Sequence, residues 1–127
     1  MEAFYKMSRL VAREPIKIYD QAMRAAGVFL SDRMVKWTEG SRLLLKVESS
    51  LDQIVQIQAT GNIFDNRTLT TNIGPPIPCL ANGNISIGLA WDDWQPFVGV
   101  IITLAAVPTT GILRIWAVIQ EQADGTE

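Results

Sequence analysis

The side chains with the clearest capacity for chemistry lie together in Trp91-Asp92-Asp93-Trp94. Exposed indole rings can stack on sugar faces while carboxylates bind hydroxyl groups, which makes this cluster a candidate carbohydrate site. Trp37 is a candidate third ring. The alternative is structural: the aspartates form a turn and the rings cover the open end of a core. Adjacent aspartates in an extended chain point to opposite faces, so they do not make a glycosidase carboxylate pair.

A polar segment offers a second, weaker candidate site. Asn62, Asp65 and Asn66, together with Asp52, carry oxygen atoms of the kind that bind calcium. The segment lacks the D-x-[DN]-x-[DN]-G spacing of a calcium loop, and Asn and Asp are also common in turns. We therefore interpret these residues as turn formers and predict no metal site.

The composition excludes most nucleophilic catalysis. The chain has no histidine, which removes Ser-His-Asp and Cys-His catalysis and histidine metal sites. Its one cysteine, Cys79, follows a proline and is predicted to be a small buried apolar residue. The glycines form neither G-x-G-x-x-G nor a phosphate-binding loop. We predict no catalytic residues, no cofactor and no enzymatic activity.

Charge and hydropathy restrict the partners. A length of 127 residues predicts one domain, and 48% hydrophobic with 19% charged residues predicts a folded chain. A net charge of -2 gives no basis for nucleic-acid binding. No apolar run reaches the ~18 residues of a membrane helix, and the N-terminus lacks the apolar core of a secretory signal. We expect a protein that neither enters a membrane nor is exported.

Two segments show an apolar-polar alternation with a period of two residues. They are Arg42–Glu48 and Gln53–Thr60, and each has one apolar face. A short polar connection separates them, which predicts an antiparallel hairpin. Further strands are predicted at Ile16–Asp20, Val28–Trp37 and Ile85–Leu89, and a proline-rich stretch at 74–78 is expected along a sheet edge or between the sheets.

About eight short strands at intervals of 8–12 residues indicate an all-β fold. No long helix is available to connect parallel strands, so we predict an antiparallel β-sandwich of jelly-roll type. An immunoglobulin-like sandwich is the second choice. The predicted organisation is an N-terminal arm over residues 1–15 with one or two helical turns, a sandwich over 16–122 and a polar tail over 123–127. The arm is either a loose terminus or an element that docks on a neighbouring subunit.

The most apolar part of the chain is the pair of runs Phe97–Val107 and Ile112–Ile119, which flank Pro108-Thr109-Thr110-Gly111. The turn residues predict a hairpin. Both runs are apolar on both faces, so we expect one face to meet the core and the other a second subunit. The alternative is a second face covered inside the domain. The predicted interface residues are Val98, Val100, Ile102, Leu104, Ile112, Trp116 and Val118.

The chain resembles short jelly-roll proteins of phage and virus particles. The similar features are Ser49-Ser50-Leu51-Asp52-Gln53, the alternating Val55-Gln56-Ile57-Gln58, Gly61-Asn62, and a C-terminal Pro-Thr-Thr-Gly turn at 108–111. The resemblance spans residues 16–120. It implies a virion structural role, as a capsid, decoration or tail-associated protein, and brings no catalytic residues.

Two hypotheses of function follow. The first is a non-enzymatic structural protein that assembles with itself, with a trimer favoured among closed oligomers and other virion proteins as candidate partners. Its expected location is the virion, or the cytoplasm before assembly. The second is a carbohydrate-binding β-sandwich module that uses Trp91 and Trp94.

Overall fold

The computed structural model describes residues 9–123 and is an all-β protein. A single 3₁₀ turn, Trp91–Asp93, interrupts the described strands. The strands of these residues are β1 (Arg9–Ala12), β2 (Ile16–Gln21), β3 (Gly27–Leu30), β4 (Val35–Lys36), β5 (Arg42–Ser49), β6 (Val55–Asn62), β7 (Thr71–Cys79), β8 (Asn84–Leu89), β9 (Phe97–Leu104) and β10 (Leu113–Ala123).

The strands form two antiparallel sheets. In sheet A, β1 and β2 both pair with β10, which pairs with β5, which pairs with β8. In sheet B, β3 and β4 both pair with β9, followed by β6 and β7. If β1 and β2 are counted as one interrupted strand, and β3 and β4 as another, eight strands remain and can be numbered 1 to 8 along the chain. In that numbering the strand order is 1-8-3-6 in sheet A and 2-7-4-5 in sheet B. This is the jelly-roll arrangement, and it confirms the predicted antiparallel sandwich.

The core lies between the two sheets and follows the alternation of each strand. Residues at every second position of β5, β6, β9 and β10 are buried, because successive side chains of a strand point to opposite faces. Trp37 closes one end of the core and donates its indole N–H to the Ser41 carbonyl at 3.1 Å. The largest completely buried side chains are Trp37, Ile18, Leu43, Leu45, Leu51, Ile57, Ile102, Leu104, Leu113 and Ile115.

Both predicted hairpins are wrong. β5 lies in sheet A and β6 in sheet B, and the same division separates β10 from β9. Alternation identifies a strand without identifying its partner, and turn residues suit a crossing between sheets as well as a hairpin. Consecutive strands pair at β6 and β7. The proline-rich β7 forms the edge of sheet B, which is the first of its two predicted positions.

Two local predictions also differ from the structure. Arg9–Ala12 is a strand paired with β10 and not a helical turn; the remainder of the predicted helical turns, before residue 9, lies outside the described residues. The predicted strand Val28–Trp37 is divided into β3 and β4 by an excursion at 31–34. The buried Ser31 holds this excursion, since its hydroxyl accepts the Val100 N–H at 3.2 Å.

The β5–β6 and β9–β10 connections cross between the sheets side by side, and they are bonded to each other. The Ser50 N–H donates to the Ile112 carbonyl at 2.9 Å, and the Ile112 N–H donates to the Ser50 hydroxyl at 2.8 Å. The Thr109 N–H donates to the Asp52 carboxylate at 2.9 Å, and the Thr109 hydroxyl donates to its other oxygen. We call this pair of connections the double crossing.

Gly111 makes the close approach in the double crossing possible. Its φ is +97°, in the left-handed region, and a Cβ at this position would lie 2.0 Å from the Ser50 carbonyl oxygen. An L-residue is therefore excluded by its backbone conformation and by direct overlap with another segment. Gly40 has a similar φ of +83°, but a Cβ there would have no heavy atom within 4 Å.

We expect Gly111→Ala to lower the free energy of unfolding by ~3 kcal/mol or more, because it adds overlap to backbone strain. Gly40→Ala is the matched control, since it introduces only the strain and should cost about 1 kcal/mol. Urea denaturation of the two variants measures the difference. Equal losses would contradict the steric role of Gly111.

Candidate functional site

The outward face of sheet A carries a row of apolar side chains. Trp116 and Val118 lie at alternate positions of β10, and Leu44 of β5 lies opposite Val118. Trp116 and Val118 are half-buried, and Leu44 is 40% exposed. We call these three residues the apolar strip. They occupy the two central strands of the sheet, where no other described element covers them.

Two shallow grooves meet at Val118. One has a volume of about 300 Å³ and runs past Leu44 towards Ala12 and Gly88. The other, of about 210 Å³, lies between Trp116 and Pro15. The floor of both grooves is mainly apolar, and Gly88 leaves open surface beside Leu44 because it has no side chain. The strip therefore offers recesses into which side chains of a partner can fit.

Charged residues surround the strip. Lys46 of β5 and Lys17 of β2 lie on either side of Trp116 in the pairing register. Lys17 forms an ion pair with Asp20 at 2.9 Å, and Arg114 contacts the same carboxylate at 3.3 Å. The hydrogen bond from Lys17 lowers the pKa of Asp20 most, with both cations adding to the effect. An apolar centre with a charged margin is the usual arrangement of a protein interface.

At the end of β10, Glu121 is bonded to two loops. Its carboxylate accepts hydrogen bonds from Arg13, with an ion-pair distance of 2.6 Å, and from the Thr38 hydroxyl at 2.9 Å. The hydrogen bond from Arg13, and then the hydrogen bond from Thr38, lower the pKa of Glu121. The segment after β1 is thereby attached to the end of β10.

Four of the predicted interface residues are in the wrong place. Val98, Val100, Ile102 and Leu104 lie on the inward face of β9 and are at most 2% exposed. The prediction was correct that these four residues share one face of β9, but it assigned this face to the surface and not to the core. When both faces of a strand are apolar, the sequence does not distinguish the inward face from the outward one.

The other three predicted interface residues lie on the outward side of sheet A. Trp116 and Val118 belong to the apolar strip, whereas Ile112 is half-buried in the double crossing before β10 begins. The prediction omits Leu44. Its signal is present in the sequence, since Leu44 is the apolar residue among the polar positions of β5, with Lys46 and Glu48 following on the same face.

The tryptophan cluster divides into structural and exposed parts. Trp91 is 71% exposed, and Asp92 and Asp93 are also exposed on the 3₁₀ turn. Trp94 is half-buried and donates its indole N–H to the Trp37 carbonyl at 2.6 Å, while Trp37 itself is 1% exposed. Trp94 and Trp37 thus cover the end of the core, and Trp91 is the ring presented to solvent by this cluster.

The polar segment after β6 is held by its own turns. The Asn62 side chain donates to the Asn66 carbonyl at 2.8 Å, and the Asn66 side chain accepts the Thr68 N–H at 2.9 Å. Asp52 lies elsewhere, in the double crossing, bonded to Thr109. Among the described residues, no group of three or more His, Cys, Asp or Glu side chains is placed to hold a metal ion.

Cys79 is completely buried, as predicted, and burial raises the pKa of its thiol. The thiol form of a buried cysteine is a poor nucleophile. Cys79 is therefore a packing residue at the end of β7, opposite Val55.

A larger open cleft, of about 580 Å³, lies beside β3 and includes Tyr19, Arg24 and Arg67. Its two arginine side chains donate to backbone carbonyls of the protein. Arg24 donates to the Gly111 carbonyl at 2.9 Å, and Arg67 donates to the Ser31 carbonyl at 2.7 Å. Burial, and secondarily the charge of Asp32, raise the pKa of Tyr19. These contacts connect loops and do not converge on a common point in the cleft.

Comparison of the chain with protein-family models, with curated proteins and with solved structures yields no match. Within residues 9–123, no helix is long and apolar enough to span a membrane.

Asp52 makes the stability of the double crossing depend on pH. The Thr109 hydroxyl, and then the Thr109 N–H, lower the pKa of Asp52 by hydrogen bonds to the carboxylate. A lowered pKa in the folded state means that the stabilisation is complete above the unfolded-state pKa of about 3.9 and is lost as the pH falls through the folded-state value.

We expect Asp52→Asn to be less stable than the parent chain at pH 7, with a difference that shrinks below pH of about 4. Urea denaturation from pH 7 to pH 2.5 measures this. Thr109→Val removes the hydroxyl donor and should give much of the same pH-dependent loss. The double variant should lose less than the sum, because both changes break one interaction. A difference between parent and Asp52→Asn that is constant with pH would contradict this role.

Proposed function

We propose that this chain is a non-enzymatic structural protein that associates with itself through the apolar strip. The observation that carries the proposal is the position of Trp116, Val118 and Leu44 at the centre of a sheet face that no strand among residues 9–123 covers. We further propose that the assembly is a virus or phage particle, in which the chain is a capsid, decoration or tail component. The jelly-roll strand order and the resemblance of residues 16–120 support this setting.

Physical considerations favour an interface over a solvated face. Each buried square ångström of apolar surface contributes roughly 25 cal/mol, and tryptophan is among the residue types enriched at the positions that dominate binding energies. The neighbouring Lys17, Lys46 and Arg114 provide a polar margin that keeps the unassembled chain in solution. The trimer is the closed state that we propose for this contact.

We expect Trp116→Asp to weaken this association by about 2 kcal/mol or more, which is roughly 30-fold in Kd. An aspartate on this face lies beside Lys17 and Lys46, so the folded chain should tolerate it. Light scattering across a concentration series measures the mass, and thermal unfolding verifies that the variant is folded.

Trp91→Asp is the matched control, since it places the same substitution on an exposed tryptophan away from the strip. It should assemble as the parent does. A parent chain that stays monomeric at high concentration, or a folded Trp116→Asp variant with the parent's assembly, would contradict the proposal.

A carbohydrate-binding module is the second candidate function, and the exposure of Trp91 beside Asp92 and Asp93 favours it. If this function applies, intrinsic fluorescence should shift on addition of a polysaccharide, and Trp91→Ala should abolish the shift. A flat response of the parent chain across a broad polysaccharide panel would contradict this function. Trp94 is not a suitable probe because its substitution also removes the bond to Trp37.

A further inference from the structure

We infer that two copies of the chain pair antiparallel through β8, joining their A sheets across a two-fold axis at Ser86. β8 is the last strand of sheet A, and within the described residues it has a partner on one side, β5. The inference deepens the proposed self-association and rests on it, because it adds a second contact, made by the sheet edge, to the contact made by the strip.

The backbone bonds show which groups of β8 face the open edge. The Ser49 N–H donates to the Gly83 carbonyl, one position beyond the pair Glu48 and Asn84. Bonded and non-bonded pairs alternate in an antiparallel ladder. The odd-numbered residues of β8 therefore bond to β5. The Ser50 N–H donates to the Ile112 carbonyl, on the β10 side of β5. Even-numbered residues of β5 therefore bond to β10 and odd-numbered ones to β8, which agrees with this assignment.

The backbone groups of Asn84, Ser86 and Gly88 consequently point away from β5. A two-fold axis at Ser86 places Ser86 opposite its own copy and Asn84 opposite Gly88 of the second copy. All N–H and C=O groups of these residues then pair. Shifting the second strand by one residue would set edge-facing groups against groups already bonded to β5, and shifting it by two would leave some unpaired. The edge thus specifies one self-complementary register.

β8 lacks the features that normally prevent edge pairing. Natural sheets protect their edges with charged side chains, prolines, bulges or interrupted strands. β7, at the edge of sheet B, contains Pro75, Pro76 and Pro78, and the opposite edge of sheet A is interrupted between β1 and β2. β8 reads Asn-Ile-Ser-Ile-Gly-Leu, with no charge and no proline, and its ladder with β5 is regular.

The side chains are compatible with this pairing. On the inward face the half-buried Ile85 would lie opposite Ile87 of the second copy, which extends the apolar layer across the axis. On the outward face the edge carries small side chains, with Lys46 as the nearest cation. The Lys46 Nζ lies 3.0 Å from the Asn84 side-chain oxygen. In the proposed register the two Asn84 residues are four positions apart along the strands, which is roughly 14 Å and exceeds the Debye length of about 8 Å at physiological salt.

The two contacts have different symmetries, and this has a consequence for assembly. A cyclic contact through the strip closes a ring, whereas a two-fold contact through β8 connects rings to each other. Together they build closed particles of higher symmetry, which neither contact builds alone.

The test is amide hydrogen exchange of the full chain at concentrations below and above assembly. The Ser86 and Gly88 amides should exchange at least about tenfold more slowly in the assembly, because they become hydrogen-bonded. The Ile87 amide bonds to β5 in either state and is the internal control. Exchange at Ser86 that is equally fast in monomer and assembly would overturn the inference.

Ser86→Pro provides an independent measurement. The Ser86 N–H faces the open edge, so its loss removes no bond within the chain, and proline is tolerated at such positions. The variant should lose the two-fold contact and keep the ring formed by the strip. Ser86→Thr retains the N–H and should assemble as the parent does. A folded Ser86→Pro variant with the full parent mass would contradict the inference.

The two proposals fail in different ways. If the β8 pairing is wrong, Ser86→Pro leaves the assembly unchanged while Trp116→Asp still reduces it. If the strip is not an interface, Trp116→Asp leaves the mass unchanged, and a two-chain species that Ser86→Pro reduces to one chain would still support the β8 pairing.

Discussion

The chain crosses from sheet B to sheet A between Leu104 and Leu113, and the rest of the arrangement depends on this crossing. It places β9 at the centre of one sheet and β10 at the centre of the other. Both strands then contribute an apolar face to the same core. The hydrogen bonds that the Ser50 hydroxyl and the Asp52 carboxylate accept hold the crossing against the β5–β6 connection, and the absence of a side chain at Gly111 allows that contact.

The position of β10 also produces the candidate site. Because β10 pairs with β2 on one side and β5 on the other, Trp116 lies between Lys17 and Lys46, and Val118 lies beside Leu44. Each of these contacts joins strands that are distant in sequence. The site is therefore a product of sheet topology, and its residues come together when the sheet has formed.

The face and the edge of sheet A are suited to different kinds of contact. The face presents side chains, so its affinity for a partner depends on apolar burial around Trp116. The edge presents backbone groups of Asn84, Ser86 and Gly88, so its specificity depends on hydrogen-bond register. The proposed assembly would use both, because closed particles of higher symmetry need at least two contacts of different symmetry.

The sequence by itself determined the all-β class, the location of most strands and the sets of residues that share a face, since alternation in a strand such as β5 depends only on neighbouring residues. It also indicated that Cys79 is buried, and it limited the proline-rich stretch of β7 to a sheet edge or a path between the sheets. The tertiary structure decided that β5 and β6, and likewise β9 and β10, belong to different sheets. It decided that Val98, Val100, Ile102 and Leu104 face inward and Trp116 outward, and that Trp94 is hydrogen-bonded to Trp37. The reason is physical: the direction of a side chain relative to its neighbours is local, whereas strand pairing and the choice of the buried face depend on which distant segments meet.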